Sequence, residues 1–176
     1  METLHLLIIS QNQPIVDSRS SETTLFFSGK TFELGFFSPG NSKNGYIGIW
    51  YKNSPNVVVW VANRNNPLMD SYVEFTINNE ESQLVLLNKS KGIVWFSNLS
   101  SQSAPKNLFA QLLEPGNLVL REYDNMSSNL YLWQSFDYPT DTLLVGMKLG
   151  WDLNTGFERD STSSKSADDP STGDYF

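Results

Sequence analysis

Along much of the chain, apolar residues fall at every second position, in short runs closed by Gly, Pro, Asn or Asp. Phe32, Leu34 and Phe36 alternate in this way, as do Val73, Phe75 and Ile77, and then Leu108, Ala110 and Leu112. A period of two predicts strands with one buried face. Each run is followed by turn chemistry: Ser38-Pro39-Gly40-Asn41, Asn78 to Ser82, and Glu114-Pro115-Gly116-Asn117. A second strand then answers the first. Tyr46 to Tyr51 follows the hairpin signal Asn44-Gly45, Gln83 to Leu87 is apolar on both faces and needs cover on both, and Leu118-Val119-Leu120 answers in the third set. No stretch shows a convincing 3.6-residue period, so little helix is expected.

A third strand closes each set. Val57-Val58-Val59-Trp60-Val61-Ala62-Asn63 returns as Ile93-Val94-Trp95-Phe96-Ser97-Asn98, and again as Leu130 to Asp137 around Trp133. The Trp residues stand 35 and 38 residues apart, with an Asn or Asp a few positions after each. A strand unit recurring at this period predicts a repeat architecture, in which no unit buries its apolar face alone. Trp60, Trp95 and Trp133 therefore read as shared core, the usual fate of Trp in an apolar strand, rather than as a sugar-stacking platform. Gln11 to Glu22 is weakly patterned, and strand signals begin at Thr24.

At 176 residues the chain can build one domain with a real core. Its formal charge of −7, without a Lys/Arg cluster, argues against nucleic acid or an anionic membrane surface as partner. There is no Cys, and the single His, His5, reads as a surface residue, so no disulfide, thiolate or metal set is implied. No apolar run reaches the length of a membrane span. Leu4 to Ile9 is short for a signal-peptide core and lacks a basic flank. Residues 1–12 thus read as a remnant or truncated leader. Asp160 to Gly173 offers almost nothing to bury, and its removal is expected to leave stability unchanged.

Three runs carry a resemblance. Phe32-Glu33-Leu34-Gly35-Phe36-Phe37-Ser38-Pro39-Gly40, then Trp60-Val61-Ala62-Asn63-Arg64, then Trp133-Gln134-Ser135-Phe136-Asp137-Tyr138-Pro139-Thr140-Asp141-Thr142 resemble the bulb-type lectin domain of plant S-locus glycoproteins and G-type lectin receptor-like serine/threonine kinases. Ser164 departs from the pattern, standing where members usually carry a Trp. The resemblance implies an all-β fold, a β-prism of three antiparallel sheets about a pseudo-threefold axis, with a Trp from each unit near the centre. On it, residues 13–155 form the lectin-like domain and 156–176 a polar tail leading to downstream modules.

Mannose-binding members carry Gln-x-Asp-x-Asn-x-Val-x-Tyr. Aligned on Asn117, this chain keeps Asn117 and Val119 but has Leu113, Pro115 and Arg121 in the other places. Aligned on Gln83, it offers Glu81, Gln83 and Val85, and the first unit matches nowhere. The implied mannose site is therefore degenerate, since a sugar hydroxyl without a partner loses discrimination.

The Asn-x-Ser/Thr sequons at Asn88, Asn98 and Asn125 are no more numerous than chance allows, but all fall at expected turns or loops, where a secreted chain is glycosylated. Asp137 and Asp141 read as turn-capping carboxylates rather than a glycosidase pair. The chain has no Gly-rich phosphate loop and no His-Arg-Asp or Asp-Phe-Gly run, so kinase chemistry is not expected in it. It reads as a non-catalytic extracellular recognition domain without cofactor, taking a carbohydrate or a protein or peptide ligand. The alternative is a scaffold that dimerises a receptor ectodomain.

Overall fold

The computed structural model describes residues 8–18, 27–28, 30–69, 72–99, 107–125 and 130–173. His5, the onset of strand signals at Thr24 and the side chain of Asn125 lie outside these. The strands are β1 (Ile8–Ile9), β2 (Ile15–Ser18), β3 (Phe27–Ser28), β4 (Phe32–Phe37), β5 (Tyr46–Tyr51), β6 (Ser54–Val61), β7 (Tyr72–Asn78), β8 (Gln83–Leu87), β9 (Ile93–Phe96), β10 (Leu108–Leu112), β11 (Leu118–Glu122) and β12 (Trp133–Gln134). Four short strands follow: β13 (Gly150–Trp151), β14 (Glu158–Arg159), β15 (Ser164–Ser166) and β16 (Asp169–Thr172). Helix is confined to two 3-10 turns, Tyr123–Asn125 and Ser135–Asp137.

Three antiparallel four-stranded sheets make the prism, ordered β3-β4-β5-β6, β2-β7-β8-β9 and β1-β10-β11-β12. The alternating runs supply their inner faces: Leu34, Ile47 and Ile49 from the first sheet, Phe75, Leu84 and Leu86 from the second, Leu108, Leu118 and Leu120 from the third. Trp60, Trp95 and Trp133 meet at the centre with ring centroids 5.9–6.2 Å apart, each pair edge to face. That geometry sets the positive edge of one indole against the negative face of the next.

The first strand of each sheet comes from the amino-terminal segment, in reverse order. β1 pairs with β10 of the third sheet, β2 with β7 of the second and β3 with β4 of the first. Ile9 (1% exposed) and Ile15 (0%) are core residues, so the segment read as a remnant leader contributes a strand at its end. The weakly patterned Gln11 to Glu22 contains β2.

The Asn/Asp repeat after each Trp is also corrected. Asn63 is buried, and its Oδ1 accepts from the Ile47 N–H at 2.9 Å. The equivalents are Ser97 Oγ, accepting from Leu84 N–H, and Ser135 Oγ, accepting from Leu118 N–H, each at 2.9 Å. Asn98 is exposed instead, and Asp137 pairs with Arg159 at 2.6 Å. Each corner needs one buried oxygen for the central strand's leading amide. A Ser two places after Trp supplies it as well as an Asn three places after.

The reading of Asp160 to Gly173 as a segment without attachments does not hold. β15 and β16 form a hairpin, and Arg64 binds this region through three backbone carbonyls: Nε donates to Pro170 O (2.8 Å), one amino group to Thr162 O (3.0 Å) and the other to Ser163 O (2.8 Å). Asn65 Oδ1 accepts from the Thr172 N–H at 3.0 Å. Removing 160–176 would exchange these carbonyl acceptors for water, a loss of about 1 kcal/mol for each net hydrogen bond.

Candidate functional site

The outer faces of the three sheets are the surfaces on which the degenerate motif residues lie. Residues two apart on a strand share a face, so Val119 and Arg121 point outward from the third sheet, and Gln83 and Val85 from the second.

On the third sheet the sequence-predicted residues serve the fold. Asn117 is 6% exposed. Its Oδ1 accepts from Ser135 Oγ–H and the Phe136 N–H, both at 3.2 Å, and its Nδ2 donates to Gln134 Oε1 at 2.9 Å. Gln134 Nε2 in turn donates to Asp137 Oδ2 at 3.1 Å, and Asp137 holds Arg159. The polar part of the Trp-Gln-Ser-Phe-Asp run is thus one internal network. Asn117 is presented there by the turn at Gly116, whose φ of +87° suits glycine; a Cβ would meet Leu144 at 2.8 Å. Val119 is fully buried, and the Arg121 guanidinium lies 5.8 Å from the Phe109 ring centre and 5.4 Å from that of Tyr131. Cation–π packing closes this face.

The first sheet's outer face is closed by aromatics. Phe37 packs on Tyr46 (5.7 Å) and Trp50 (6.1 Å), and Trp50 Nε1 donates to Glu33 at 3.1 Å.

The second sheet differs. Thr76, Val85 and Phe96 pair across β7, β8 and β9, and Gln83 stands beside Asn78 at the end of the same face. Thr76 is 6% exposed, and its Oγ1 and the buried Oε1 of Gln83 have no hydrogen-bond partner. Phe96 is half exposed. Glu81 sits in the preceding turn, exposed, next to Ser82 with its φ of 57°. Both oxygens are shielded from solvent, so what this face presents outward is the Phe96 ring and the partly exposed remainder of the Gln83 side chain. Thr76 was missed by the motif alignment; the signal for it was a lone Thr on the outer side of an alternating strand.

Two other predicted positions are placed as follows. Asn88 caps its own turn, with Oδ1 accepting from the Ser90 N–H (3.0 Å) and the Gly92 N–H (2.8 Å). Asn98 is exposed just after β9. Tyr138, stacked on Trp133 at 5.7 Å, has its hydroxyl pKa raised by burial and then by the Asp137 charge. No group of three or more acidic residues or His among the described residues is placed to hold a metal.

The D-mannose binding lectin model matches residues 57–165. The chain belongs to this family of bulb-type lectin domains. It is similar to the receptor-like serine/threonine-protein kinase SD1-8 of Arabidopsis thaliana, 50% identical over 157 residues that cover 89% of this chain and 18% of the kinase. It is also similar to the S-locus-specific glycoprotein S6 of Brassica oleracea, 48% identical over 89% of this chain and 36% of that protein. A G-type lectin S-receptor-like serine/threonine-protein kinase of Arabidopsis thaliana is 48% identical over 86% of this chain and 18% of its own length. The lectin domain therefore spans about a fifth to a third of the relatives it matches. No helix among its described residues is long and apolar enough to cross a membrane.

Proposed function

We propose that the chain is a non-catalytic, extracellular recognition domain of a receptor-like kinase or S-locus glycoprotein, whose sugar-binding capacity is reduced to the outer face of the second sheet. The observation carrying this reading is the contrast in polar satisfaction. Asn117 has both side-chain atoms engaged internally, whereas Gln83 keeps a partly exposed side chain whose shielded Oε1 has no internal partner. In a secreted setting Asn88 and Asn98 carry glycans.

A single surviving face with few polar contacts binds weakly, because each net hydrogen bond contributes about 1 kcal/mol. Isothermal titration with mannobiose is expected to give a dissociation constant no better than about 1 mM, or −4 kcal/mol. Micromolar affinity abolished by Gln83→Ala would restore a working mannose lectin. Asn117→Ala is the poorer control, since that side chain holds the fold.

A second reading, a scaffold that dimerises an ectodomain, is favoured by the exposed Val145 (93%), Trp151 (69%) and Leu153 (91%) around the β13–β14 hairpin. Analytical ultracentrifugation across micromolar concentrations tests it. A monomer throughout overturns it.

A further inference from the structure

The outer face of the first sheet carries a groove of about 600 Å³, walled on one side by the carboxy-terminal hairpin. Its floor is apolar. The Phe37 ring lies across Gly48, where an added Cβ would come within 2.7 Å of it, and Val58 and Val61 continue the floor along β6. Pro39, Pro55 and Pro170 line it with rigid rings, and Ser164 and Ser166 stand on the hairpin side. A slot between a sheet face and a hairpin admits a flat body and buries both of its sides, and aromatic rings are the flat groups with the most apolar area to bury. Ser164 supplies part of the room. It is the position at which the chain departs from the pattern it resembles, with a hydroxymethyl group where a Trp is usual.

The polar groups inside the slot are already engaged. Asp141 accepts from the Thr142 hydroxyl at 3.1 Å and from that of Ser164, and its charge faces Arg64, whose donors go to carbonyls of the hairpin segment. Thr140 Oγ donates to Val59 O at 3.2 Å and so ties β6 to this segment, which leaves no open ladder for an added strand. A charged ligand would meet no unpaired partner inside the slot, and a sugar would find few groups for its many hydroxyls. What remains lies at the rim. Among the described residues, the exposed side chains of Asn56 and Ser166 make no hydrogen bond, and an amide and a hydroxyl can each donate and accept. An apolar concavity with a few polar groups at its edge is the usual form of a small-molecule site.

We propose that this slot binds a small, neutral, planar aromatic molecule of the indole or phenol class, its ring between the Phe37–Val58–Val61 floor and the hairpin and its one polar group at Asn56 and Ser166. The site lies on the first sheet, whereas the sugar reading rests on the second, and it holds whether or not mannose binds.

The test is NMR on the full chain, following the Val methyl groups, with four probes: indole, cyclohexanol, N-acetyltryptophanamide and mannotriose. Indole should shift the Val58 and Val61 methyl resonances through its ring current, with a dissociation constant of roughly 0.1–1 mM. Cyclohexanol, apolar with one hydroxyl but not flat, should bind at least tenfold more weakly, a difference of about 1.4 kcal/mol. N-acetyltryptophanamide, whose backbone finds no ladder, should bind more weakly than indole, and mannotriose should leave both methyl signals in place. Ser164→Trp should put its own ring into the slot, abolish the indole shifts and raise the thermal midpoint. The ranking of the probes is read on the unaltered chain and does not depend on that variant. Cyclohexanol equal to indole, N-acetyltryptophanamide as tight as indole or tighter, the same methyl signals moved by mannotriose, no shift at millimolar indole, or a Ser164→Trp chain that still binds indole or melts lower would each overturn the proposal.

Discussion

The outer faces of the second and third sheets start from the same strand pattern and end in opposite conditions. On the third, the position after the β-turn is Asn117, bonded to Gln134, Ser135 and Phe136, and the strand's outward positions are filled by Val119 and by Arg121 between two rings. On the second, the corresponding strand opens with Gln83, whose Oε1 is buried without a partner beside an equally unpartnered Thr76. A motif residue can thus survive in sequence while its atoms are turned to structural work. On the second sheet Thr76 and Val85 are as buried as Val119, and only Phe96 leaves that face a half-exposed ring. Retention of one letter of a binding motif is weak evidence for binding.

Mutations can break this comparison in descending order of effect. Trp95 touches both other central indoles and Phe75, so Trp95→Ala should destabilise the whole prism by about 3–5 kcal/mol, read as the shift in a urea midpoint. A near wild-type midpoint would show that the sheets do not share one core. Asn117→Ala leaves Gln134, Ser135 and the Phe136 amide short of partners inside the protein; a loss of about 2–3 kcal/mol is expected by the same measurement. Gln83→Ala removes an unpartnered buried oxygen, so its effect should stay within about 0.5 kcal/mol of zero. If Gln83→Ala proved as costly as Asn117→Ala, the two faces would be alike after all.

The smallest effect is local and depends on pH. The Asp169 pKa is lowered by hydrogen bonds from the Ser171 hydroxyl and backbone N–H. A depressed carboxylate pKa means the contribution is complete above the ordinary Asp value and is lost as pH falls through the lower folded value. The Ser171 amide resonance should therefore hold its position down to about pH 4 and move only below it. Movement centred near neutral pH would contradict the hydrogen bonds.

The inner faces were legible because burial writes a period into the sequence: Leu34, Phe75 and Leu108 each sit on an alternating run. The three Trp positions were legible for the same reason. What escaped was carried by polar atoms meeting backbone across long separations. Ser97 and Ser135 do the work of Asn63, but a Ser near a Trp carries no signal of its own. Arg64 holds the hairpin at 162–170 through carbonyls, which every residue possesses, so nothing in the composition of Asp160 to Gly173 marked it as attached. The site was half legible. The alignment reached Gln83 and Asn117, but which of them is engaged depends on Gln134 and Ser135, residues outside the aligned strand.

The reversed threading of β1, β2 and β3 also bears on how the chain is made. Ile9 must wait for Ala110 before its strand has a place, a separation of roughly a hundred residues, or about 5–20 s of synthesis at typical elongation rates. The first sheet can close early from β4, β5 and β6, while the strand that completes the third is the earliest to emerge and the last to be paired. Contacts of such high sequence separation slow folding, because the loop must close before they contribute. During that interval Ile8 and Ile9 have no ladder to join, which makes this early strand the place where a nascent chain of this design is most open to mispairing.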